Sequence, residues 1–185
     1  MKKIILVITL TLSLFGLNKP IGHIENVTID KNLVSAYKYQ LSNLSPQQVT
    51  WLSYVYRVCS KYDLQNTCVA IAWEESQFNL YGVIPDTGDY GLMGINLYWF
   101  MKDNGYNTRN RYKRMKWATK LVKDDEYNIM YSIVKLQKLQ KQYGNNWYKI
   151  WAHYNGGTYP NYIYAKRILN KIYVFRRWLN RQTSH

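Results

Sequence analysis

A glutamate at the end of an apolar helical stretch is the residue of this chain best placed to do chemistry. Residues 66–79 read Asn-Thr-Cys-Val-Ala-Ile-Ala-Trp-Glu-Glu-Ser-Gln-Phe-Asn. Cys68, Ile71, Ala72 and Glu75 follow at steps of 3, 1 and 3, so they share one helix face. That spacing carries the Glu75 carboxyl to the apolar side, where burial disfavours the charged form and raises the pKa. A carboxylic acid that keeps its proton near neutral pH can protonate a leaving group. Glu74 lies next door, and only one of the pair can face inward on this reading. Spacing alone therefore leaves Glu75 open as an ordinary surface glutamate. The following stretch favours chemistry. Gly82, Gly88, Gly91 and Gly94 punctuate a loop that also carries Asp86 and Asp89. Glycines let backbone approach a ligand closely, so a helix ending in a carboxylate and followed by such a loop suits a cleft wall.

Three pieces in order carry a resemblance: Glu75-Ser76, then Gly91-Leu92-Met93, then Tyr154-Asn155-x-Gly157. Together they resemble the signature of soluble-type (SLT) lytic transglycosylases, lysozyme-like enzymes that cut the glycan strand of peptidoglycan. The small members associated with secretion systems and phages are the most similar, and the resemblance covers roughly residues 47–168. It implies that Glu75 acts alone, with no cofactor. Glu75 would protonate the glycosidic oxygen, then as carboxylate take a proton from the muramic acid 6-hydroxyl, leaving a 1,6-anhydro end. It implies that Ser76, Gly91, Leu92, Met93, Tyr154 and Asn155 contact substrate or line the cleft, with Tyr154 near Glu75. Tyr164 falls where the family often has an aromatic residue before a basic pair, here Lys166-Arg167. Two positions depart from the pattern: Gly94 stands where the family usually has Gln, and Pro85 and Thr87 stand near its loop Ser. Goose-type lysozymes are similar and place water with loop aspartates. Asp86 or Asp89 as base would make this a hydrolase, although both also read as turn residues. A third class, an exported glycan-binding protein without activity, sits poorly with the presence of Glu75.

The elements that must position these residues read as helices. Ser45-Pro46-Gln47-Gln48 is a capping box with Pro at the first helical position. Val49, Leu52, Val55, Tyr56 and Cys59 give that helix its apolar face, and it stops near Tyr62. The Glu75 helix follows, with Asn66 or Thr67 as N-cap, making an αα-hairpin. Cys59 and Cys68 approach each other in such a hairpin, either as a disulfide or as two buried thiols. A helix over about 110–123 follows a loop at Asn104-Gly105. Asp124, Asp125 and Glu126 serve the start of the next helix, which begins at Asn128. Ile129, Ile133, Leu136, Leu139 and Tyr143 are its buried stripe, and Gly144 ends it. Trp147, Ile150, Trp151 and Tyr154 make a short helical face. A last helix over about 161–180 buries Tyr164, Ile168, Ile172, Phe175 and Leu179, with Lys166, Arg167 and Lys171 mainly off that stripe. The expected fold is all-α, a single compact lysozyme-like domain with an active-site cleft and at most a minimal hairpin around 82–95.

The chain has 185 residues, enough for one domain with a sizeable core. Residues 1–18 read as a signal peptide or anchor: Lys2 and Lys3 precede an apolar run over 4–17 that is short for a membrane span. Residues 19–44 read as a connector with little structure of its own, and 45–181 as the catalytic domain. The location expected is export to the periplasm or cell envelope, with 4–17 a possible inner-membrane anchor. His23, His153 and His185 show no ligand spacing with the cysteines, so no metal site is expected. The chain carries 25 Lys and Arg against 11 Asp and Glu, a net charge of +14, and no acid follows Glu126. Such a field attracts polyanions. With an export signal, the expected partners are peptidoglycan strands and anionic envelope polymers or a membrane surface rather than nucleic acid. A monomer is expected.

Overall fold

The structure, a computed structural model, describes residues 28–79, 82–84 and 87–183. In chain order the elements are α1 (Lys31–Ser42), α2 (Pro46–Ser60), α3 (Gln65–Ser76), β1 (Val83–Ile84), β2 (Asp89–Tyr90) and β3 (Ile95–Asn96). There follow α4 (Leu97–Asp103), α5 (Arg111–Lys123), α6 (Asp125–Tyr143), α7 (Trp147–Gly156) and α8 (Tyr162–Thr183). The fold is a compact helical, lysozyme-like domain. Its sheet is a small antiparallel meander, with Val83 opposite Tyr90 and Tyr90 opposite Ile95.

Helix α3, which carries Glu75, runs through the middle. Every residue from Val69 to Trp73 is buried, and α2 and α8 pack on it from two sides. A helix enclosed this way has no polar stripe, so Glu74 and Glu75 are both drawn partly out of water. This corrects the expectation that only one of them could face inward. The N-cap also differs. Helix α3 begins at Gln65 behind Leu64, which supplies no side-chain cap. Leu64 is instead buried, and burial fixes the helix start where a side-chain cap does not. The start of α2 has the expected reciprocal cap: Ser45 Oγ accepts from the Gln48 amide at 3.2 Å, and Gln48 Oε1 accepts from the Ser45 amide at 2.9 Å. Cys59 and Cys68 are joined as a disulfide, with their Cα atoms 6.4 Å apart, tying the end of α2 to the start of α3.

The expectation of an unstructured connector fails for its second half. Residues 31–42 form α1, capped by Asp30 Oδ1 accepting from the Asn32 and Leu33 amides. Val34, Tyr37 and Leu41 are buried. Helix α1 lies against α8, where Asp30 pairs with Lys166 at 3.0 Å and its amide donates to Asn170 Oδ1 at 2.9 Å. It also braces α3, since Trp73 Nε1 donates to Gln40 Oε1 at 3.1 Å and the Tyr37 and Trp73 rings lie 5.5 Å apart.

Helix α6 begins at Asp125 with Asp124 as its cap, so Asn128 sits inside the first turn and not at its start. Asn128 is fully buried and works as a clamp. Its Oδ1 accepts from the Met93 amide at 2.7 Å, and its Nδ2 donates to the carbonyls of Tyr90 and Leu121 at 3.0 Å each. Among the described residues no helix is long and apolar enough to cross a membrane. The segments 1–18 and 19–27 lie outside the described residues.

Candidate active site

Glu75 occupies the last turn of α3, and the chain reverses immediately after it. Gln77, Phe78 and Asn79 all have positive φ, at 50°, 56° and 67°. Three such residues in a row, none of them glycine, cost on the order of 1 kcal/mol each. The turn is held against that cost from several directions. Phe78 is buried against Trp73, the Asn79 amide donates to Ser76 Oγ at 2.9 Å, and Gln48 Nε2 donates to the Gln77 carbonyl at 2.9 Å. The outcome is a fixed position for the carboxyl at the helix end.

The loop that follows closes on that carboxyl from the other side. Gly94 has φ +57, and a Cβ placed there would come within 2.7 Å of Glu75 Cβ and Oε2. The backbone at 94 therefore lies directly on the glutamate side chain, and any larger residue would displace it. Gly91 is under the same kind of constraint, because a Cβ there would run into the Leu121 carbonyl and the Asn128 amide.

Tyr164, on α8, donates its hydroxyl to Glu75 Oε1 at 2.7 Å. The ring of Tyr154 stacks behind it, with centroids 6.5 Å apart and planes at 21°, and its own hydroxyl donates to Ser132 Oγ at 2.9 Å. The tyrosine in direct contact with the acid is thus Tyr164, while Tyr154, expected near Glu75, is close enough to feel its charge. Tyr154 supports the contact from one layer further back. Burial pushes both phenols up, so both stay neutral donors.

Burial likewise raises Glu75, whose carboxyl is pushed up from 4.5 to about 7. The Tyr164 hydrogen bond and the Lys135 ammonium oppose the shift, and the negative charges of Glu74 and Asp89 add to it. Desolvation is the largest of these effects, so near neutral pH the proton is held and is available for transfer. Lys135 is a site residue that the sequence reading missed. Its Nζ lies 4.7 Å from the centre of the Tyr154 ring, and its ammonium faces the negative charges of Asp103, Glu75 and Asp89. It falls on α6 two positions after the stripe residue Ile133, where a lysine reads as solvated surface, and nothing in the local sequence marks it out.

Glu74 is committed elsewhere. Lys171 Nζ lies 2.6 Å from one of its oxygens and Arg167 Nε 2.7 Å from the other. The Lys171 side chain is 6% exposed and sits over the rings of Tyr37 and Trp73. Lys171 is therefore buried with the apolar stripe of α8, which corrects its expected place off that stripe, while Lys166 and Arg167, 43% and 39% exposed, lie off it as expected and pair from its edge.

The remaining expected site residues divide. Ser76 is 1% exposed, and its hydroxyl bonds the carbonyls of Ala72 and Leu92, so it fastens the loop to α3 and offers nothing to a ligand. Leu92 and Met93 are fully buried core residues beneath the loop, not cleft lining. Gly91 is buried against α6. Asn155 is exposed and accepts from Asn161 Nδ2 at 2.9 Å. Asp89 is partly buried on β2, where its Oδ1 accepts from Asn96 Nδ2 at 3.0 Å. Asp86 lies outside the described residues. A separate groove lined by Trp51, Tyr54 and Asp124 to Glu126 shares no residue with this site.

A buried, proton-holding carboxyl, with a phenol on one oxygen and glycine backbone against its flank, can give a proton to an oxygen and then stand as a stabilised carboxylate. The family model of the transglycosylase SLT domain matches residues 56–168, a span that holds Glu75, the loop over it, Lys135, Tyr154 and Tyr164. No curated protein and no solved structure matches the chain. The matched span exceeds half of the chain, and the protein belongs to the transglycosylase SLT domain family.

Proposed function

We propose that the protein is a peptidoglycan lytic transglycosylase that cleaves the β-1,4 bond between N-acetylmuramic acid and N-acetylglucosamine, with Glu75 as acid and then base. The observation that carries this reading is the Glu75 carboxyl itself, protonated to about 7 by burial and bonded by Tyr164. In the first step Glu75 gives its proton to the glycosidic oxygen as the bond to the anomeric carbon breaks. Glu75 is then an anion, which the Tyr164 hydroxyl is placed to stabilise. In the second step the muramic acid 6-hydroxyl bonds to the anomeric carbon and its proton returns to Glu75. The product is a 1,6-anhydro end and the enzyme is restored.

Hydrolysis by a similar site would need a second carboxylate to activate water. The described carboxylates whose charge reaches Glu75 are Glu74 and Asp89. Glu74 is taken up by Arg167 and Lys171, and Asp89 is bonded to Asn96 within the meander. Neither arrangement favours a free base, so the single-acid mechanism is the better reading.

The test is a pair of substitutions assayed on purified peptidoglycan. Glu75→Gln should lower lysis by about 10²–10⁴-fold, the contribution of a positioned general acid, while the domain stays folded. Glu74→Gln should behave in the opposite way. It leaves Lys171 buried without its partner and costs roughly 3–5 kcal/mol of stability, yet the folded fraction should turn over normally. Loss of turnover in folded Glu74→Gln with activity kept in Glu75→Gln would transfer the catalytic role to Glu74.

A further inference from the structure

Helix α5 carries large apolar side chains on the side where packing cannot use them. Its inward side is fixed by Leu121, which is fully buried, and by Trp117, which packs on Phe100, Tyr106 and Tyr127. At helical spacing Tyr112, Met115 and Lys116 fall on the opposite side. Tyr112 is 77% exposed and Met115 62%. All six residues from Arg111 to Lys116 are exposed, so the first half of the helix stands clear of the domain. Arg111, Lys113, Arg114 and Lys116 supply positive charge there, and no acid occurs between Asp103 and Asp124. Among the described residues Arg111, Lys113 and Lys116 form no ion pair.

A solvated basic helix would place polar residues at the centre of its outer face. A surface evolved only to hold a soluble polyanion would gain nothing from Tyr112 and Met115 at that centre. Apolar and aromatic groups at the middle of a face, ringed by cations, match the interface between lipid headgroups and acyl chains. We propose that the outer face of α5 docks on an anionic lipid surface, with Tyr112 and Met115 among the headgroups and Arg111 and Lys116 on the lipid phosphates. Trp99 on the adjoining α4, 55% exposed and with Lys102 Nζ 4.8 Å over its ring, is a similar aromatic–cation pair on the neighbouring element. This surface is independent of the glycan chemistry, and the glycan reading stands or falls separately.

The experiment is co-sedimentation of the full chain with vesicles of phosphatidylcholine alone and of phosphatidylcholine mixed with phosphatidylglycerol. Binding should occur to the mixed vesicles and weaken as salt rises. Each cation near an anionic surface contributes roughly fivefold to partitioning, so Arg111→Glu with Lys116→Glu should lower it by more than roughly tenfold. Tyr112→Ser with Met115→Ser should also lower it several-fold. Both variants should keep the wild-type circular dichroism spectrum and the wild-type rate of peptidoglycan lysis. The proposal is overturned if the wild type fails to bind, or if both variants partition like the wild type, which would assign binding to another part of the chain. It is also overturned if soluble polyglycerol phosphate is bound as well as the vesicles and the Tyr112/Met115 variant is unaffected. That result would make the face a polymer site.

Discussion

On the proposed mechanism Glu75 has to hold its proton until a glycosidic oxygen accepts it, then keep the resulting charge long enough to act as a base. Burial supplies the first property and Tyr164 the second, and the two pull the carboxyl in opposite directions. Removing the phenol separates them. Tyr164→Phe should move the alkaline limb of the kcat/KM profile upward by roughly one to two units, because a hydrogen bond to a charged group is worth about 1.5–3 kcal/mol. It should also lower the maximal rate. A variant with an unmoved limb would remove Tyr164 from the proton chemistry. The raised carboxyl has a consequence for stability as well. Folded Glu75 binds its proton more tightly than the unfolded chain does, so the wild type loses stability as pH rises from about 4.5 to about 7. Glu75→Gln removes that loss. Its Tm should match the wild type near pH 4 and exceed it near pH 8, and equal values at both would contradict the burial of the acid. The step from Cys68 through Ile71 and Ala72 made Glu75 legible as an inward carboxylate. Which tyrosine would meet it was not legible, because Tyr154 and Tyr164 lie on different helices and only the packing of α7 on α8 orders them. Gly94 was visible as a departure, and its reason, contact with the glutamate side chain, needed the fold.

At the scale of elements, the site depends on three joints around α3. The Cys59–Cys68 bond closes a short loop at its start. Closing a loop of about 10 residues contributes about 2–3 kcal/mol. Reduction should therefore lower the Tm by several degrees and add two hydrogen atoms to the intact mass. Two thiols that alkylate readily without a reductant would remove this joint. At its other end the run of positive-φ residues reverses the chain, and Asn128 holds the loop that returns over Glu75. The reversal could not be read beforehand, since Gln77, Phe78 and Asn79 are held in the left-handed region by burial and by Gln48, from outside the segment. The third joint is α1. Its cap, Asp30, and its apolar positions Val34, Tyr37 and Leu41 were present in the sequence, but the surrounding polar residues and the nearby Pro20 and Gly22 hid them. The helices with longer apolar stripes, α6 and α8, were legible because burial on one face imposes a period that local composition cannot mask.

At the scale of the whole molecule, the chain joins a glycan-cutting family to a surplus of positive charge, +14 overall. The charge does not converge on the acid. Much of it lies on α5 and on the outside of α8, while Lys166, Arg167 and Lys171 are used internally against Asp30 and Glu74. Gly94, Pro85 and Thr87 stand where the expected family pattern differs, and Glu75 keeps its hydrogen bond from Tyr164. The central claim is that the sugar's own 6-hydroxyl completes the reaction, with Glu75 serving both steps. Mass spectrometry of the muropeptides released from purified peptidoglycan tests it most directly, because a 1,6-anhydro product is lighter by one water than a hydrolysis product. The account predicts anhydro-muramic ends, unchanged in kind by Asp86→Asn or Asp89→Asn. Reducing ends, with most activity lost on either substitution, would contradict it and make the protein a lysozyme-like hydrolase whose base is that aspartate.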